Sequence, residues 1–201
     1  MPGRLRGGRL LRRALWGMFL ASTIASAQTT QKAVAKKTGA HRANELTLAG
    51  LRPGRDSAER AISLYREPSN PKEERDAQLQ WVKTCETQTL TLDLDANKKI
   101  QVIRTTELAW LLGDCAHLSP GPWRTGLGLR VGDAVGKVAQ LYGEPDSKSP
   151  STRDGQPLEL WYYAFDWAGP DVPQVMEVLC TREKEGQPGK VVEITLAAPS
   201  L

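Results

Sequence analysis

An internal repeat constrains the fold of this 201-residue chain more than any other feature of its sequence. Two stretches, offset by 77 to 80 residues, carry the same short motifs in the same order. The matched blocks are LRPG at 51–54 with LRVG at 129–132, LYREP at 64–68 with LYGEP at 141–145, RDAQ at 75–78 with RDGQ at 153–156, and Trp81 with Trp161. Because collinear matches of this kind rarely arise by chance, we predict two tandem repeats, at 46–108 and 126–201, joined by a linker at 109–125.

Each repeat has the pattern of one short helix followed by antiparallel strands. Apolar residues at helical spacing predict helices over 57–66 and 134–142. We expect the carboxylates of Asp56 and Asp133 to cap the N-terminal ends of these helices. Alternating apolar and polar residues after each helix indicate strands. The predicted fold class is therefore α+β, with two tandem repeats that each pack a short helical segment on an antiparallel β-meander.

The N-terminal region has the organisation of a secretory signal peptide. Five arginines precede an apolar run at 14–24, and the small residues 25–27 (ASA) precede Gln28. The apolar run is shorter than the roughly 20 residues that a membrane-spanning helix needs. Residues 28–45 contain few bulky apolar side chains, which predicts a flexible tail. We therefore predict that the signal peptide 1–27 is removed, and that the mature protein is periplasmic or secreted and has no transmembrane segment.

The net charge of +4 does not indicate a nucleic-acid partner. Of the 27 basic residues, five lie in the signal peptide, which has no acidic residue, so 22 basic and 23 acidic residues remain. The chain has only two histidines, and it carries no phosphate-binding loop, dinucleotide fingerprint or nucleophile motif. We therefore predict no enzymatic activity, no cofactor, no metal ion and no nucleic-acid partner. An exported enzyme of unrecognised type is the alternative.

Three cysteines in an oxidising compartment allow three different disulfides. A hairpin that turns near Asn97 brings Cys85 opposite residues 108–110, a few residues before Cys115. This favours a Cys85–Cys115 disulfide, with Cys180 as a buried strand residue. Alternatively, the odd cysteine pairs between two molecules.

The repeat motifs also carry a resemblance to known proteins. The second repeat has an apolar-x-x-Gly motif at 129–132, a Gly-x-Pro motif at 143–145 and a Trp-x-aromatic motif at 161–163. Each repeat thereby resembles the SmpA/OmlA outer-membrane assembly lipoproteins, and the tandem resembles the β-lactamase inhibitor protein family. The first repeat departs from the pattern, since Arg66 replaces the glycine and Lys83 replaces the second aromatic residue.

The resemblance implies a sheet with one face under the helix and one free face that binds other proteins without catalysis. Trp161 and Tyr163 match the helix-facing positions of the pattern. The expected core aromatic residues are Trp81, Trp161, Tyr163, Tyr65 and Tyr142. Tyr162 projects to the opposite face, and Trp167 lies beyond the strand end. Together with Trp123 of the linker, these two are the candidate contacts for a protein partner.

The predicted function is that of an exported, non-catalytic protein-binding module of the bacterial cell envelope. It would act as a scaffold, an assembly factor or an enzyme inhibitor, and its partner would be another envelope or secreted protein. A small apolar-ligand binder that uses the aromatic strand is a further alternative.

Overall fold

In the part of the chain that the structure describes, seven antiparallel strands form one continuous sheet, in the order β1-β2-β3-β7-β6-β5-β4. The strands are β1 (Gln78–Lys83), β2 (Gln88–Leu94), β3 (Ile100–Glu107), β4 (Ser147–Arg153), β5 (Gln156–Ala164), β6 (Val175–Thr181) and β7 (Val191–Ala197). The computed structural model describes residues 42, 44–83, 85, 88–107, 122–169, 171–182 and 188–199. All of them belong to one compact unit, Gly39–Leu201. The predicted signal peptide 1–27 lies outside the described residues.

Two short helices, α1 (Ala58–Tyr65) and α2 (Val135–Tyr142), precede the strands of the first and second repeat. A 3₁₀ turn at Lys72–Glu74 follows α1. The apolar sides of both helices share one core with one face of the sheet, which includes Ala61, Val138, Leu90, Ile103, Val178 and Ile194. In the described part of the chain, no helix is both long and apolar enough to cross a membrane.

The predicted α+β fold class is wrong, because the structure is largely β. Strands β3 and β7 pair from Val102↔Ala197 to Thr106↔Glu193, so the strands of both repeats form a single sheet. The two helices have only eight residues each and cover a part of one face. The two meanders join because, in two separate sheets, the last strand of each would expose unpaired backbone N–H and C=O groups.

The aspartates before the helices do not act as N-caps. The N-cap positions are Ser57 and Ala134, and neither makes a side-chain cap hydrogen bond. Instead, the backbone N–H of Arg52 donates to the Asp56 carboxylate, at 2.8 Å. In the second repeat, the N–H of Arg130 donates to the Asp133 carboxylate, also at 2.8 Å. The two carboxylates therefore accept N–H groups of the turns before the helices, and Asp133 also pairs with Lys137 of α2 at 2.8 Å.

Both edges of the sheet are protected against a further strand. At the β1 edge, Asn70 Nδ2 donates to the Gln78 carbonyl at 2.9 Å, and Asn70 Oδ1 accepts the Gln80 N–H at 3.0 Å. A side-chain amide thus takes the place of a neighbouring strand. At the opposite edge, β4 has Pro150 at its centre. Because proline has no N–H, the β4 edge has no uninterrupted row of donors and acceptors.

The second face of the sheet, opposite the helices, has a polar centre beside a small apolar cluster. The cluster consists of Leu158, Leu179 and Val192. The Glu193 carboxylate of β7 accepts hydrogen bonds from Thr106, at 2.9 Å, and from Arg153. Arg153 belongs to the edge strand β4, and two strands lie between β4 and β7. The Arg153 side chain therefore links the edge strand β4 to β7 across the second face.

Candidate protein-interaction site

The aromatic residues expected in the core lie on the helix-facing side of the sheet. Trp81, Trp161, Tyr163 and Tyr142 are buried, and Tyr65 is half-buried and packed against the core. The rings of Tyr65 and Trp81 meet edge to face, with centroids 5.7 Å apart. The rings of Tyr142 and Tyr163 are tilted at 5.8 Å. Each helix thus ends on a tyrosine that packs against an aromatic residue of the sheet.

Trp123, expected from the linker as a contact residue, is instead part of the core. Its side chain is 1% exposed, and its ring meets Tyr65 edge to face with centroids 6.1 Å apart. The next residues also join the folded unit, since Thr125 forms a bridge with Leu48. The linker predicted over 109–125 therefore ends before Trp123, and a partner cannot reach this tryptophan in the folded chain.

Tyr162 and Trp167 lie outside the main core. Tyr162 is half-buried on the second face of the sheet, between Ser147 of β4 and Glu177 of β6. Trp167 is 57% exposed in the segment that follows β5. A large aromatic surface that water reaches is a common anchor in protein interfaces. Of the three predicted contact residues, Trp167 is the most accessible.

Trp167 lines an open cleft of about 620 Å³, here called the Trp167 cleft. Its other wall comes from the N-terminal segment, through Arg42, Asn44 and Leu46. Asn44 Nδ2 donates to the Asp166 carbonyl at 2.8 Å, which joins the two walls at the base. Leu46 is exposed, so the cleft has an apolar side chain on each wall.

Arg42 attaches this N-terminal segment to the second repeat. Its Nε donates to the Tyr142 carbonyl at 2.9 Å, and its guanidinium pairs with Asp146 at 2.7 Å. The guanidinium also lies over the Tyr163 ring, 4.7 Å from the centroid. Arg42, near the C-terminal end of the flexible tail predicted over 28–45, therefore contacts the folded unit.

The same contacts affect the titration of Asp146. Burial would raise the pKa of Asp146, but the Ala164 N–H and the Arg42 guanidinium both stabilise the carboxylate. The pKa of Asp146 consequently lies below its ordinary value of 3.8.

Glu45 lies in the same N-terminal segment as Arg42 but is buried, at 2% exposure. Its Oε1 accepts the N–H groups of Leu46, Thr47 and Gly126 at 2.8, 3.0 and 3.0 Å. Its Oε2 accepts the Leu127 N–H at 3.1 Å. The Tyr142 hydroxyl also donates to Oε2, at 2.7 Å. One carboxylate therefore joins the N-terminal segment, the start of the second repeat and the end of α2. No sequence motif indicated this role, because its partners are mostly backbone N–H groups.

The described residues do not bring together a metal site or a nucleophile. They contain no cluster of three or more His, Cys, Asp or Glu side chains that could hold a metal ion. His41 and His117 lie outside the described residues. Cys180 is a free, buried thiol, and burial raises its pKa to about 12, so it stays protonated at neutral pH.

The predicted Cys85–Cys115 disulfide reaches beyond the described residues. Cys85 lies in an exposed position between β1 and β2, and Cys115 is not described. The pairing stays a prediction.

Comparisons with known proteins do not assign a family. No protein-family model matches the chain, and no curated protein matches it. Among solved structures, a DUF4309 family protein (YjgB) from Bacillus subtilis matches with a TM-score of 0.43 and 12% identity, over 75% of this chain and 83% of that one. A cysteine-rich secretory protein (SAV1118) from Staphylococcus aureus matches with a TM-score of 0.42 and 10% identity, over 79% of this chain and 48% of that one. Neither likeness bears on the resemblance to SmpA/OmlA or β-lactamase inhibitor proteins.

Proposed function

We propose that this chain is an exported, non-catalytic protein-binding module of the bacterial cell envelope. The observation that carries the proposal is Trp167, a large apolar side chain that is 57% exposed on one wall of an open cleft. Removing such a surface from water is favourable, at about 25 cal/mol per Å². Tryptophan is also the residue type most enriched among binding hot spots. Export rests on the signal peptide predicted over 1–27.

The protected sheet edges support a particular mode of binding. A partner that added a strand would need unpaired N–H and C=O groups in sequence along β1 or β4. Asn70 occupies the first edge, and Pro150 interrupts the second. The partner therefore binds through side chains, with an apolar side chain of its own between Trp167 and Leu46.

A pull-down from cell-envelope extract, with the mature protein as bait, tests the proposal. Trp167→Ala removes the exposed ring, and Leu64→Ala is the matched control because Leu64 is also exposed but lies on α1. We expect a protein that wild type and Leu64→Ala retain and that Trp167→Ala loses. With that partner purified, the Kd for Trp167→Ala should rise about 5- to 30-fold, equivalent to about 1–2 kcal/mol.

Two further variants separate binding from folding. Tyr162→Ala should fold normally and tests whether the second face takes part in the contact. Trp161→Ala should melt early, because truncation of a buried tryptophan costs about 3–5 kcal/mol. If no protein distinguishes wild type from Trp167→Ala and Tyr162→Ala, the chain does not bind a partner at these positions, and the proposal is refuted.

A further inference from the structure

At one corresponding position of the sheet, the first repeat has apolar side chains and the second has polar ones. In the first repeat, Leu79 of β1 pairs with Leu92 of β2, two residues before Trp81, and both leucines are buried. In the second repeat, the position two residues before Trp161 is Glu159, and it pairs with Cys180 of β6. The second repeat therefore has a carboxylate and a small thiol where the first has two leucine side chains.

A cleft of about 540 Å³ opens at this position in the second repeat, here called the Cys180 cleft. It lies between the first turn of α2 and the strands β4, β5 and β6. Gly136 of α2 contributes to the opening, because a Cβ added there would meet no heavy atom within 4 Å. The corresponding position on α1 is Glu59, two residues after Ser57 as Gly136 is two residues after Ala134. The volume lies within the usual range for small-molecule sites, about 300–1,000 Å³.

Among the residues that the structure describes, two cations and one carboxylate line the cleft. The Glu159 carboxylate already accepts a hydrogen bond from Trp161 Nε1, at 2.6 Å. Lys148 Nζ lies over the Trp161 ring, 3.8 Å from its centroid, and is 3.9 Å from the exposed carboxylate of Glu144. Arg182 is exposed and forms no ion pair with the described residues. The described lining thus carries two cations against one carboxylate, and the N–H groups of Lys148 and Arg182 are available as donors.

We propose that the Cys180 cleft binds a small organic anion with an apolar body. Its anionic group would lie between the cations of Lys148 and Arg182, which donate to it, and its body would contact Val135 and the edge of Trp161. Cys180 lines the cleft as a protonated thiol, so the binding is not covalent. The proposal is independent of the partner at the Trp167 cleft.

A titration of ¹⁵N-labelled mature protein with benzoate tests the inference, with the neutral benzamide as the matched ligand. We expect benzoate to shift the Gly136 amide and the Trp161 indole signals, and benzamide to bind at least about tenfold more weakly. Lys148→Gln and Arg182→Gln should each weaken benzoate binding about tenfold, the effect of losing one charged hydrogen bond. Trp167→Ala should leave it unchanged.

Gly136→Leu gives the structural test. The leucine side chain should fill the cleft and abolish binding without lowering the melting temperature, because leucine is a better helix residue than glycine. Glu59→Leu, at the corresponding position of α1, is the control and should bind benzoate as wild type does. Equal affinity of Gly136→Leu and wild type, equal affinity for benzamide and benzoate, or no shifts up to about 10 mM benzoate would each overturn the inference.

Discussion

The Glu45 carboxylate should contribute a large share of the folding free energy through five hydrogen bonds. Hydrogen bonds to a charged group contribute about 1.5–3 kcal/mol each, but bonds that share one acceptor do not add. Glu45→Ala leaves the N–H groups of Leu46, Thr47 and Leu127 without their acceptor, in a site that is 2% exposed. The Gly126 N–H keeps the Thr47 carbonyl at 3.0 Å, and the Tyr142 hydroxyl keeps Thr125 Oγ1 at 2.6 Å. We expect Glu45→Ala to lower the free energy of unfolding by about 4 kcal/mol. Glu45→Gln keeps one carbonyl acceptor, so we expect about 2 kcal/mol.

Urea and thermal unfolding of the mature protein measure these values. For a folded unit of this size, about 4 kcal/mol corresponds to a drop in melting temperature of roughly 8–16 °C. Glu73→Gln is the matched control, because Glu73 is exposed on the 3₁₀ turn, and it should change the free energy of unfolding by less than about 0.5 kcal/mol. If Glu45→Ala and Glu45→Gln unfold like the control, the contacts of Glu45 do not stabilise the fold.

A double-mutant cycle separates the effect of the Glu45 hydrogen bonds from a general effect of truncating the side chain. A Cβ at Gly126 would lie 2.6 Å from Glu45 Oε1 and 2.9 Å from Thr47 Oγ1. Gly126→Ala must therefore push the Glu45 carboxylate out of place. We expect Gly126→Ala to cost about 1–3 kcal/mol in wild type and clearly less in the Glu45→Ala background. Additive costs in the two backgrounds would contradict the geometry.

Three more predictions follow from other parts of the chain. Pro150→Val restores an N–H to the β4 edge, so it should cause concentration-dependent association in sedimentation velocity, whereas Ser149→Val should stay monomeric. Non-reducing peptide mapping should recover a Cys85–Cys115 peptide, and a disulfide that contains Cys180 would disprove the pairing. The depressed pKa of Asp146 means that its contribution to stability is complete above its ordinary pKa of 3.8 and is lost as the pH falls below that value. The difference in free energy of unfolding between wild type and Asp146→Asn should accordingly shrink between about pH 6 and pH 2, and a constant difference would contradict the shift.

Local sequence patterns predicted the helices and strands whose formation is determined by neighbouring residues in the chain. The apolar stripe of each helix places α1 and α2 within a residue of the predicted bounds, and the alternation of Leu90, Leu92 and Leu94 with polar residues locates β2. The pairing of β3 with β7 could not be predicted in this way, because it joins residues about 90 positions apart and has no motif of its own. The continuous seven-stranded sheet depends on this one long-range contact.

Strand β4 and the N-terminal segment show a second limit of prediction from sequence. The β4 sequence SKSPSTR has no apolar alternation, so nothing in it indicates a strand. It pairs with β5 because that neighbour presents an open edge. Similarly, residues 42–45 read as a polar tail, although Arg42 pairs with Asp146 and Glu45 accepts a hydrogen bond from Tyr142, both about 100 positions away. Polar residues that act on distant partners leave no periodic signal in the sequence.

The difference between the repeats also has an energetic consequence that can be tested. The pair Glu159 and Cys180 buries less apolar surface than the pair Leu79 and Leu92. Replacing Glu159 and Cys180 by leucines should therefore stabilise the second repeat. Fully burying a leucine side chain contributes about 1.5–3 kcal/mol, but the buried Cys180 side chain already supplies part of this at its position. The loss of the Trp161 hydrogen bond to Glu159 subtracts about 1 kcal/mol. We expect Glu159→Leu with Cys180→Leu to raise the free energy of unfolding by about 2–3 kcal/mol.

The same double variant should lose benzoate binding, because the leucine side chains occupy the cleft. The converse pair in the first repeat, Leu79→Glu with Leu92→Cys, should destabilise by at least about 4 kcal/mol, since it places a carboxylate in a closed core. When a substitution stabilises a protein but abolishes binding, the original polar residues typically serve the function of the site. If the leucine pair instead destabilises the second repeat, then Glu159 and Cys180 are required for its packing, and folding alone accounts for their polarity.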